Sequence, residues 1–195
     1  MWPWEHVVIG YVAYSLLTHA RRRRSPDGAE AVLVAFAALL PDLVDKPLAW
    51  SLGVVSTGYG PAHSILVAVP VVVTLATWRS ASGRPWQGVA FATGYLLHLP
   101  GDVLYAYVTS GDVVPNVVLW PVATTGPSGY RSGFVQQTLA YLGQFKTDVL
   151  SGDVTTYMWL QLGLLAFAVL LWAYDGAPPL RDSRKLTRPL LDRWS

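Results

Sequence analysis

The stretch "TYMWLQLGLLAFAVLLWAY", residues 156–174, carries no charged side chain and has tryptophans near both ends. A helix of about 17–25 mostly apolar residues crosses a bilayer, and tryptophan favours the two interfaces. This stretch therefore predicts a membrane span. Working back toward the N-terminus, similar runs occupy roughly 87–107, 61–78, 29–50 and 3–20, of which 29–50 and 87–107 contain acids. The run at 3–20 has neither a basic region ahead of it nor a small-residue cleavage site, and is read as a span rather than a removable signal peptide.

Composition agrees with a membrane protein. Of 195 residues, 52% are hydrophobic and 13% charged, about half the charged fraction usual in soluble domains, and mean hydropathy is +0.35. The absence of cysteine excludes disulfides, thiolate metal sites and cysteine nucleophiles. The expected fold is all-α: a polytopic helical bundle of about five transmembrane helices. Residues 1–174 form a single membrane domain, and 175–195 form a basic cytoplasmic tail.

Charge placement sets the expected topology. Arg21–Arg24, Arg79, Arg84, Arg181, Arg184, Lys185, Arg188 and Arg193 fall on one side if the five runs alternate, leaving Lys46, Arg131 and Lys146 on the other. The positive-inside rule then puts the N-terminus outside and the C-terminus in the cytoplasm. Trp2, Trp4, Trp50 and Trp159 fall at the outer interface, and Trp78, Trp86 and Trp172 at the inner one.

Against this background "GYLLHLPGD", residues 94–102, stands out, because His98 and Asp102 interrupt an apolar run one helical turn apart. "LLPDLVDKP" places Asp42 and Asp45 three residues apart on one face of the second run. "GYGPAHS" puts His63 and Ser64 at the start of the third, and His6 begins the first. His6, Asp42, Asp45, His63, His98 and Asp102 thus come from four helices to one level near the outer face. One aspartate at the bilayer centre costs about 2.5–3.5 kcal/mol, so three unpaired in lipid would cost on the order of 10 kcal/mol. Lys46 alone is too little counter-charge, and a divalent metal bound by carboxylates and imidazoles would supply the rest. Zinc is the expected ion, with manganese or iron as alternatives, and Asp42 is the expected general base.

Pro41 and Pro100 lie beside these ligands and predict bends that line a cavity. Ser64 either orients a ligand or caps its helix. Glu5, beside His6, reads as a ligand, an acceptor supporting a ligand or, by preference, an outer-surface charge, and His19, next to Arg21–Arg24, as interfacial. Between the last two spans lies a polar outer segment, 108–155. Its first half is Gly-, Pro- and Ser-rich loop, and its second places Phe134, Leu139, Leu142 and Phe145 at the spacing of an amphipathic helix. That helix would be a substrate lid or a spacer.

The order of His6, "LLPDLVD", "HS" and "GYLLHLPGD", followed by "LWP", resembles the membrane-bound metal-dependent hydrolase family over about residues 1–122. One bacterial branch of that family is described as LexA-binding, inner-membrane-associated hydrolases. The family is similar in motif to zinc-dependent phospholipases C and single-strand nucleases. The resemblance implies one metal centre at Asp45 or Asp42, His63, His98 and Asp102, with Asp102 bridging to a second metal near His6, and attack on a phosphorus centre. The His-Arg pair that many members carry shortly before "HS" is missing, since the stretch reads "STGYGPAHS". That puts phosphoester specificity in question, and nothing in the sequence carries LexA binding over.

The expected function is a membrane-embedded metal-dependent hydrolase acting on a lipid or other phosphoester. The alternative is a non-catalytic metal-binding membrane protein, structural or ion-handling. The confinement of polar residues to the outer half of the spans speaks against an ion pathway. An interaction protein working through Arg21–Arg24 and the basic tail is a third reading, but the tail has too few consecutive charges for nucleic acid.

Overall fold

The computed structural model describes residues 1–126, 133–152 and 155–183. Arg131 and the basic tail from Arg184 onward lie outside the described residues. Six α-helices are present among them: α1 (Pro3–Arg22), α2 (Gly28–Trp50), α3 (Ile65–Ala81), α4 (Pro85–Ser110), α5 (Phe134–Ser151) and α6 (Thr156–Tyr174). Short 3₁₀ turns occupy Pro61–His63 and Pro115–Val118. Five helices coincide with the five apolar runs, and α5 is the helix expected in the outer segment. One helical stretch, Thr156–Ser183, is long and apolar enough to cross a membrane by composition; Ile65–Ala81 is apolar but shorter. The acids and Lys46 that make α2 and α4 chemically interesting also make those helices less apolar.

Local sequence accounts for the helix ends. Asp27 and Glu30 form a reciprocal cap at the start of α2: the Glu30 N–H donates to Asp27 Oδ1 at 2.8 Å and the Asp27 N–H to Glu30 Oε2 at 3.0 Å. Ser64 caps α3 by accepting from the Leu66 N–H at 3.2 Å, and Thr155 caps α6 by accepting from Met158. Ser64 also donates to the Trp120 carbonyl, tying the loop after α4 to the start of α3. Pro41, Pro47 and Pro100 sit inside helices that run through them unbroken.

The helices α1, α2 and α3 pack around α4, and small residues make the crossings. A Cβ on Gly94 would lie 2.4 Å from the Val34 carbonyl oxygen and 2.9 Å from the Ala38 nitrogen, and one on Gly88 would lie 2.8 Å from the Ala76 Cα. Only glycine lets those backbones approach so closely. Ala37, Ala68, Val72, Phe91, Tyr95 and Leu99 fill the space between α2, α3 and α4, and Tyr11, Tyr14, Ala31, Val34 and Ala90 that between α1, α2 and α4. Many other large aliphatic and aromatic side chains point outward: Trp159 and Leu160 are 65% exposed and Leu170 70%. Buried small and polar groups under an apolar exterior suit a bilayer rather than water.

α5 has no buried residue. Its aromatic face meets the ends of α1 and α2: the Phe145 ring lies 5.2 Å from Trp2 and 5.1 Å from Trp4, and the Phe134 ring 6.1 Å from Trp50. This aromatic cap lies at the end of the bundle where the polar ligands gather.

Candidate metal centre

Asp45 is the residue around which the centre is built. It is fully buried, and the turn after α2 wraps its carboxylate. Oδ2 accepts the N–H of Gly60 (2.9 Å), the N–H of His63 (2.9 Å) and His63 Nδ1–H (2.8 Å), while Oδ1 accepts the Ala62 N–H (3.1 Å). The anion therefore holds the 3₁₀ turn and fixes the His63 ring with Nε2 facing away. On α4, His98 Nδ1 donates to the Ala38 carbonyl at 2.7 Å, which likewise aims its Nε2 inward.

A neutral imidazole has one N–H, and both rings have committed theirs at Nδ1, to groups that only accept. Yet the two Nε2 atoms stand 3.1 Å apart. Asp42 Oδ1 lies 3.4 Å from His63 Nε2 and 3.8 Å from His98 Nε2, and Asp102 Oδ2 lies 3.5 Å and 3.3 Å from them. One ligand atom from each of Asp42, His63, His98 and Asp102 falls within 4.8 Å of the others, and all four residues are buried. Asp42 Oδ1 has no hydrogen-bond partner among the described residues. Four acceptors stand this close only around a positive centre, a proton or a metal cation. Two imidazole nitrogens and two carboxylate oxygens suit zinc, manganese or iron. The donor set fits a divalent ion.

The other expected ligands sit around this quartet. The His6 ring stacks on His98 with centroids 3.7 Å apart, and its Nε2 lies 3.4 Å from Asp102 Oδ1. The structure thus brings His6 against the group, and Asp45 behind it as the partner of His63. Lys46 pairs with Asp42 Oδ2 at 2.6 Å, and the Met1 amine lies 2.9 Å from Asp102 Oδ1. Tyr59, unremarked in the sequence, packs edge-on to His63 at 5.1 Å. Burial, reinforced by the Asp102 and Asp42 carboxylates, pushes its phenol well above the ordinary value, so the hydroxyl stays neutral. Ser64 is a helix cap that also holds the Trp120 loop, rather than an inward-facing group.

Two expectations need correction. Glu5 is not a surface charge: it is 5% exposed and accepts from the Tyr157 hydroxyl and from Gln161 Nε2. Nor are the polar residues confined to one half of the bundle. At the arginine-rich end, Asp175 accepts from Tyr11 (2.6 Å) and Ser15 (2.7 Å) and pairs with His19 Nε2 (2.7 Å). The i, i+4, i+8 spacing of Tyr11, Ser15 and His19 was the available signal, and Gln161 inside an otherwise apolar run was the signal for Glu5.

Comparison with known proteins adds one finding: the family model described as YdjM inner membrane protein matches residues 1–177. No curated protein and no solved structure matches the chain.

Proposed function

The chain belongs to the YdjM inner membrane protein family, and from that membership and the buried quartet we propose that it is an integral membrane metal-dependent hydrolase of lipid or other phosphoester substrates. The observation that carries the proposal is the convergence of four acceptor atoms whose only N–H donors are turned outward. In this reading α1, α2, α3, α4 and α6 span the membrane with the N-terminus outside. Asp42, His63, His98 and Asp102 hold zinc, or manganese or iron, near the outer face.

A bound ion would supply a Lewis acid that acidifies water and polarises a phosphoryl group. The protein's own residues do the rest. Asp45 and the Ala38 carbonyl fix the orientation of both imidazoles. His6 closes the group beside Asp102 as a further ligand, and Asp102 has one oxygen toward His6 and the other toward His63 and His98. Asp42 is the carboxylate assigned to proton transfer, because its Oδ2 points out of the quartet to Lys46, from which it can be released.

One observation favours a second reading, a non-catalytic metal site. Four buried protein ligands would fill a tetrahedral ion, whereas catalytic zinc keeps a position open. Metal-loaded protein in mixed micelles, assayed for release of headgroup or acyl chain from phospholipid, separates the two. Hydrolysis by the parent that His98→Ala abolishes supports the enzyme. A metal-loaded parent that releases nothing, with His98→Ala merely lowering the unfolding temperature, supports the structural site.

A further inference from the structure

Glu5 lies one residue before His6 in the first turn of α1, and its carboxylate does two things at once. Oε2 accepts the Trp2 N–H at 2.6 Å, one of the donors that a helix start leaves without a partner. Oε1 accepts the Tyr157 hydroxyl and Gln161 Nε2, the latter at 2.9 Å. Tyr157 and Gln161 are four residues apart on one face of α6. The same anion therefore closes the turn that carries His6 and ties that turn to α6. Gln161 Oε1 is buried with no hydrogen-bond partner among the described residues, while its Nε2 donates to Glu5. His6 itself lies on His98 and Asp102.

We infer that Glu5 is the positioning residue of His6, with α6 as the brace against which it works. The inference rests on the metal-site reading above. A second contact between the same helices provides an internal comparison. At the far end of α6, about 27 Å along the helix axis, Asp175 takes Tyr11, Ser15 and His19 from α1. The two helices thus exchange buried carboxylates, Glu5 reaching from α1 to α6 and Asp175 from α6 to α1. Both contacts hold the pair together, but only the first touches the turn bearing His6.

The test is calorimetric titration of zinc into metal-stripped full-length protein in detergent, with the thermal unfolding of each variant measured alongside. Glu5→Gln should weaken zinc binding about tenfold, the low end of losses from outer-shell partners. On a His6→Ala background it should cost no further affinity. Gln161→Ala, which leaves the Trp2 contact intact, should give a smaller loss, and the exchanged pair Glu5→Gln/Gln161→Glu should recover most of it. Asp175→Asn should lower the unfolding temperature at least as much as Glu5→Gln yet leave zinc affinity within twofold. Equal affinity in Glu5→Gln and the parent, an undiminished Glu5→Gln effect without His6, or matching affinity losses in Glu5→Gln and Asp175→Asn would each overturn the inference. A flat isotherm for the parent itself overturns the metal-site reading, and the role given to Glu5 with it.

Discussion

Asp42 and Asp45 are three residues apart on one helix face, yet they meet different partners. Asp42 Oδ1 faces the imidazoles, whereas Asp45 is surrounded by four N–H donors. The motif "LLPDLVD" shows that two acids point one way, but the difference between them comes from the turn at Gly60–His63, which no helical spacing encodes. Asp45→Asn would aim an amide donor at donors that now meet an anion. It should cost about 2–4 kcal/mol of stability and weaken metal binding roughly 10–100-fold, checked by unfolding in detergent and by metal titration. His63, His98 and Asp102 were legible as polar residues where an apolar run has no other use for them. Tyr59 was not, because its place beside His63 depends on how the loop folds back.

At the scale of the elements, the five apolar runs foreshadow α1, α2, α3, α4 and α6, and the spacing of Phe134, Leu139, Leu142 and Phe145 foreshadows α5. The crossing of α2 and α4 was not legible, because glycine in an apolar run signals flexibility and close approach alike. Gly94→Leu should destabilise the fold by more than about 2 kcal/mol, since even its Cβ would collide with the Val34 carbonyl; chemical unfolding measures the loss. α5 holds to the bundle through rings rather than a buried core. Phe145→Ala should therefore raise the quenching of tryptophan fluorescence by acrylamide while leaving the unfolding temperature within a few degrees of the parent, and unchanged quenching would mean that Trp2 and Trp4 are shielded by something else. The contact between Asp175 and α1 went unforeseen because α6 was read for its apolar length, and Asp175 falls just beyond it.

At the scale of the whole molecule, membership in an inner-membrane family and an apolar exterior place the chain in a bilayer. The proposed orientation rests on the arginines, with Arg21–Arg24, Arg79 and Arg84 gathered at the end away from the quartet. The lack of native cysteine makes single engineered thiols easy to read. Ser51→Cys should react with a membrane-impermeant maleimide in intact cells and Ser82→Cys only after lysis, both positions being exposed; the reverse pattern would invert the topology. The proposed chemistry depends on a metal ion held between the four converging acceptors. Elemental analysis of the detergent-purified parent beside Asp42→Ala/His98→Ala tests it most directly. About one equivalent of zinc, manganese or iron in the parent, lost in the double variant, is the predicted result. A parent that holds no metal even after reconstitution would contradict the account and leave a proton as the positive centre between His63 and His98.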